Sequence, residues 1–224
     1  MKTTILSDAS ARYLDVVASI YLYNEYRGYT SLDRVLAAAR RHCPSDTSFI
    51  FAIGKHRADE RKHYLMFKRW FERQGRMPLA LDSGYGHIDR FIHRVFGCEI
   101  NQLDTDAIVA NAALFEKLCR VIVLTEQRGL AQVEELLRNS IILSDPVMHR
   151  IFRIVHKDEP DHYLPYRGWL EKRGRPVEIW NERLVDWCIH KTLVLAKLPS
   201  LFLNSGADRL VDWPDSSDPA SLDA

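Results

Sequence analysis

Apolar side chains recur at three- and four-residue spacing over most of the chain, the period of a helix that buries one face. Leu14, Ala18, Tyr21, Glu25, Gly28, Leu32 and Val35 share one stripe, which predicts a first long helix over residues 7–42. Pro44 stops it, and Ser45 and Asp46 cap the next. A second helix is predicted over 46–73, with Phe49, Ile53, His56, Glu60, His63, Phe67 and Trp70 on its buried stripe; Gly75 and Pro78 end it. Residues 78–104 are mixed, with a short helical piece at 87–96, and have the length of a crossover. A third long helix starts at Asp104 or Thr105 and reaches residue 139, carrying Ile108, Ala112, Phe115, Cys119, Ile122, Glu126, Gly129, Val133 and Leu137 on one face. Ser144 and Asp145 ahead of Pro146 cap a fourth helix, which runs to 173 and ends at Gly174 and Pro176. A fifth, amphipathic helix follows over 177–198. No segment supports a strand as well, so the chain reads as all-α. Residues 1–203 form one domain, and 204–224, acidic and rich in Pro and Ser, read as a disordered tail.

Composition narrows this only a little. The net charge is +1, so no basic field points to nucleic acid or to an anionic membrane. Cys43, Cys98, Cys119 and Cys188 form no CxxC pair, which argues against a zinc site or a disulfide framework and fits a reducing compartment. With neither an apolar leader nor a run of 18 apolar residues, the expectation is a cytoplasmic protein without a transmembrane span.

The informative feature is an internal repeat. Residues 59–76 align without gaps on 158–175 at a constant offset of 99, with nine of eighteen positions identical. A shorter echo pairs Glu25-Tyr26-Arg27-Gly28 with Glu126-Gln127-Arg128-Gly129. Each half is thus a helix with a lone Glu followed by a helix with Asp-Glu-x-x-His. Glu25 and Glu126 fall in apolar stripes, where an unpaired carboxylate costs several kcal/mol or more. Glu60/His63 and Glu159/His162 are i, i+3 pairs that project from one helix face. Packed together, the four helices would gather four carboxylates and two imidazoles, a donor set that suits two divalent cations, iron or manganese. Salt-bridged surface helices, with Arg27, Arg61 and Arg128 as partners, would explain neither the repeat nor the apolar stripe. Pro160 and Pro165 lie within the second copy and predict a kink or π-bulge near Glu159.

This pattern resembles the ferritin-like di-iron carboxylate superfamily over roughly residues 8–175. The resemblance implies a four-helix bundle of two hairpins joined by a long crossover, with one additional C-terminal helix. It implies Glu25, Glu60, His63, Glu126, Glu159 and His162 as ligands to two iron ions, with Mn or Mn/Fe as alternatives. It also implies that Asp59 and Asp158 each accept a hydrogen bond from the ligand histidine of the opposite half. The activity implied is that of a non-haem di-iron oxidoreductase: an oxidase or monooxygenase using O2 to hydroxylate, desaturate or N-oxygenate a small organic substrate. No iron–sulfur or nucleotide motif is visible, so its electrons would come from an external reductase or ferredoxin. The alternative is a ferroxidase, peroxide scavenger or iron-storage protein of the ferritin or rubrerythrin type.

Other residues weigh less. His56 lies one turn before Glu60, but its counterpart is Val155, and a satisfied core histidine is favoured over a role beside the metals or substrate. Tyr21 is equally a core aromatic or a hydrogen-bond donor to a ligand. Gly28 and Gly129 cost helix stability and suggest close packing or room beside the metals. Residues 184–203 offer an amphipathic face for a second subunit (a homodimer), for a membrane, or simply as a cover for the bundle.

Overall fold

The computed structural model describes residues 2–103 and 105–216. Asp104, one of the two expected helix starts, and 217–224 of the expected tail lie outside them. Helix α1 spans Lys2–His42 and so begins before residue 7; Arg40 and Arg41 lie in its last turn, where cations complement the helix dipole. The Asp46 carboxylate accepts from the Phe49 N–H at 3.4 Å and opens α2, Thr47–Arg73. The crossover carries α3, His87–Phe96, and a 3-10 turn at Ile100–Gln102.

The single third helix expected from residue 104 or 105 is broken in two. Asn111 is extended (φ −122°, ψ 103°), and its side chain accepts from the Ala113 and Leu114 N–H groups at 3.0 and 3.3 Å. An asparagine that caps competes with the helix that would run through it. The pieces are α4, Thr105–Ala110, and α5, Ala112–Leu137. After the short α6, Ser140–Ser144, Asp145 caps α7, Pro146–Lys172, with proline in its first turn. Helix α7 is α-helical throughout despite Pro160 and Pro165, so the expected π-bulge near Glu159 is absent. Both prolines are partly exposed, where water can reach the carbonyls they release. A π-helical turn occurs instead at Leu193–Lys197, between α8 (Trp180–Thr192) and α9 (Leu198–Leu203). The repeat is structural at its ends too: Gly75 and Gly174, 99 residues apart, take φ 64° and 63°, the left-handed region that favours glycine.

Helix α1 packs along α2, α5 along α7, and the two pairs meet through α2 against α7. Two apolar layers form. Phe49, Ile53, Phe115, Cys119, Tyr166 and Trp169 pack at one end, and Phe67, Phe71, Met148, Phe152 and Val155 at the other. Glu60 falls between Ile53 and Phe67 along α2, and Glu159 between Phe152 and Tyr166 along α7. The acidic positions are therefore enclosed between layers whose aromatic members each contribute about 1.5–3 kcal/mol by burial.

The expected disorder from residue 204 does not hold for 204–216. Arg209 donates to Asp15 at 2.7 Å, Leu79 and Arg209 form an isolated antiparallel bridge, and the buried Asp215 carboxylate accepts from Tyr64 Oη at 2.7 Å and Lys68 Nζ at 2.9 Å. An acidic composition signals disorder only while its charges lack fixed partners; Lys68 of α2 supplies one for Asp215, and Asp15 of α1 holds Arg209. Among the described residues there is no strand, and no helix is long and apolar enough to cross a membrane.

Candidate metal centre

Glu25 comes from α1, Glu60 and His63 from α2, Glu126 from α5, and Glu159 and His162 from α7, and the fold gathers all six in one place. His63 Nδ1 is 3.2 Å from Glu25 Oε2, and His162 Nδ1 is 3.2 Å from Glu60 Oε1, 3.7 Å from Glu159 Oε2 and 3.9 Å from Glu126 Oε2. Two overlapping sets of donor atoms, each within 4.8 Å of one another, can hold a metal ion. One is Glu25, Glu60 and His63; the other is Glu60, Glu126, His162 and His56. Glu60 belongs to both. Glu159 belongs to neither set and stands beside His162.

The outward nitrogens cross between halves. His63 Nε2 is 3.1 Å from Asp158 Oδ2, and His162 Nε2 faces Asp59 Oδ2 at 3.8 Å, longer than a hydrogen bond. Lys62 donates to both aspartates, at 2.5 Å to Asp59 and 2.7 Å to Asp158. Sequence reasoning did not single out Lys62, whose counterpart in the repeat is Asp161. The arginines two residues after Glu25 and Glu126 serve other carboxylates: Arg27 pairs with Asp89 and Arg128 with Asp186. His87 and His190 belong to that outer network, against Asp186 and Gln132.

Charge at the centre is under strong tension. Burial, reinforced by Glu60, pushes the Glu25 carboxyl up to about 7. Burial also pushes Glu159 to about 8 and Glu126 well above the usual range. Glu60 is held low: burial opposes its charge, but His162 and His56 outweigh burial. For His63 burial favours the neutral ring, yet Glu25, Asp158 and Glu60 together lift it to about 10. His162 is raised well above its ordinary value, with Asp59 and Glu60 overcoming burial. A cation bound among these groups would displace the protons that burial favours on Glu25, Glu126 and Glu159.

Buried atoms test whether the residues fit metal ions. Glu159 Oε2, His162 Nδ1 and His56 Nε2 are buried without a hydrogen-bond partner, although carboxylate or imidazole atoms lie within 4 Å of each. Such atoms normally find partners in native proteins. Donors that crowd together without aligned hydrogen bonds could hold a cation between them, and the mixed oxygen and nitrogen set suits a divalent first-row ion.

A cavity of about 560 Å³ opens beside the cluster, between α1 and α5. Glu25, Glu60, Glu126 and Glu159 line it, whereas His56, His63 and His162 do not. Glu126, with 18% of its side chain accessible, is the most open of the four to it. The rest of the lining is mostly apolar, from residues such as Val17, Leu118 and Ile122. Tyr21 Oη and Thr125 Oγ1, both on lining residues, are buried and without hydrogen-bond partners. Compared with protein-family models, with curated proteins and with solved structures, the chain matches none.

Proposed function

We propose that α1, α2, α5 and α7 form a ferritin-like four-helix bundle that holds two metal ions, iron by preference, and uses O2 to oxidise a small, mainly apolar organic molecule. The observation that carries this reading is the shared wall: the four carboxylates all line one largely apolar cavity. Two divalent cations and four carboxylates sum to zero charge, so a loaded site is tolerable in a core that resists the bare carboxylates. Two ferrous ions held there would supply electrons for the reduction of O2.

The chain's own residues have definable parts in this reading. Asp158 accepts from His63, and Asp59 faces His162, so each imidazole turns Nδ1 toward the carboxylates. Lys62, bridging the two aspartates, keeps both ionised. Burial opposes the charge of both aspartates; His63 and Lys62 outweigh it to hold Asp158 at about 2, and His162, Lys55 and Lys62 hold Asp59 below its ordinary value. The mostly apolar lining suits an apolar molecule, and Tyr21 Oη and Thr125 Oγ1 are free to orient a polar atom of it. Cys43, Cys98, Cys119 and Cys188 have no iron–sulfur ligand spacing, so in this reading further electrons come from an external donor.

Protein loaded anaerobically with two ferrous equivalents is expected to take up O2 in an oxygen-electrode measurement, while metal-free protein does not. Loaded protein that stays reduced for hours in air, with both positions filled, would remove the oxygen-dependent part of this reading.

A further inference from the structure

From its surroundings we infer that His56 is a third imidazole ligand, which makes the two metal positions unequal: a nitrogen-rich one that fills first and an oxygen-rich one that fills second. The inference rests on the two-metal reading above and adds a donor outside the repeated ligand set. His56 is buried on α2, one turn before Glu60, and the residue 99 positions later, Val155, is an equally buried aliphatic side chain. Packing alone would be met by valine at both places. An imidazole in one half only adds a pair of nitrogens that burial must compensate.

Its two nitrogens are treated differently. Nδ1 lies 3.3 Å from the hydroxyl of the fully buried Tyr166. Nε2 is buried without a hydrogen-bond partner, 3.6 Å from Glu60 Oε1 and 3.7 Å from Glu126 Oε1. A core histidine held only for packing would have both nitrogens satisfied. His63 shows the same division, one nitrogen toward the carboxylates and the other held from behind. The His56 ring also stacks on His162 at 4.2 Å, which sets the two imidazoles side by side on one position.

The distances suit a cation. A metal about 2.1 Å from four tetrahedrally placed donors separates neighbouring donors by about 3.4 Å. His56 Nε2 is 3.6 Å from Glu60 Oε1 and 3.7 Å from Glu126 Oε1, and His162 Nδ1 is 3.2 Å from the same Glu60 oxygen and 3.9 Å from the other Glu126 oxygen, Oε2. Ligation through Nε2 requires the tautomer with Nδ1–H, which then donates to Tyr166 Oη. The second position, Glu25, Glu60 and His63, has one nitrogen. Imidazole-rich sites bind the later first-row divalent ions more strongly than carboxylate-rich ones.

Co(II) added anaerobically to metal-free protein is the probe. The wild type is expected to bind two equivalents in two steps, the first at least about tenfold tighter. His56→Val is expected to weaken the first step by at least about tenfold and leave the second unchanged. A readout that needs no variant is the proton NMR spectrum of the two-cobalt wild type with ¹⁵N-labelled histidine. It should show three strongly shifted, exchangeable imidazole N–H signals, from His56 Nδ1, His63 Nε2 and His162 Nε2. Two such signals with two cobalt ions bound would overturn the role of His56 and leave the two-metal reading standing. So would a His56→Val protein with an unaltered first step. A wild type that binds no Co(II) would overturn both.

Discussion

Glu60→Ala is expected to abolish binding at both metal positions, a larger loss than any other single ligand change should cause. Glu60 is the one carboxylate common to the two donor sets. Its Oε1 lies 3.2 Å from His162 Nδ1 and 3.6 Å from His56 Nε2, and its side chain reaches from α2 into the space between α1 and α7. It is also the carboxylate that the imidazoles hold ionised, so its removal leaves raised charge on His162 without its nearest anion. Breaking a buried pair from one side costs about 3–5 kcal/mol, and the metal-free variant should unfold at lower denaturant for that reason. The wild type should also gain about 2.7 kcal/mol of stability at a metal concentration one hundred times the dissociation constant. Thermal melts with and without metal separate the two effects: the wild type shifts upward and the variant does not. A variant that keeps one equivalent at wild-type affinity would show that the positions do not share Glu60.

The second large effect is expected at a residue with no chemistry of its own. A Cβ on Gly28 would lie 2.1 Å from Glu60 Oε2 and 3.1 Å from its Cδ, so Gly28→Ala must push the carboxylate aside. What moves is the end of a flexible side chain, and alanine is favoured over glycine inside a helix by about 1 kcal/mol. Gly28→Ala is therefore expected to fold as well as the wild type and to lose metal. Gly129 holds the same place in the second half, yet a Cβ there would meet Glu159 Oε1 at 3.4 Å, ordinary contact. Gly129→Ala should bind metal nearly as the wild type does. Metal content by elemental analysis, beside melting curves for both variants, gives the comparison; equal metal content in the two would contradict the placement of Glu60.

That asymmetry marks how far the sequence could be read. The repeat announced two equivalent halves, and the helices, the caps at Asp46 and Asp145 and the closing glycines 75 and 174 are all local enough to be visible in it. The six acidic and histidine positions were visible because a charged residue in an apolar stripe needs an explanation. What escaped depends on neighbours distant along the chain. Lys62 matters because α2 and α7 bring Asp158 within its reach, 96 residues away. Asp215 is ordered by Tyr64 and Lys68, roughly 150 residues earlier, which composition cannot foresee. For His56, periodicity places a histidine on a face without saying which atoms wait there. A helical period reads through a side-chain cap such as that at Asn111, and the π geometry at Leu193–Lys197 leaves no mark on that period.

The two-metal claim meets its most direct test in anomalous diffraction from crystals grown anaerobically with ferrous iron. Two iron peaks about 3.5–4 Å apart, the separation of paired metals in two-metal sites, are expected among Glu25, Glu60, His63, Glu126, Glu159 and His162. A single peak, or none in protein saturated with ferrous iron, would contradict it.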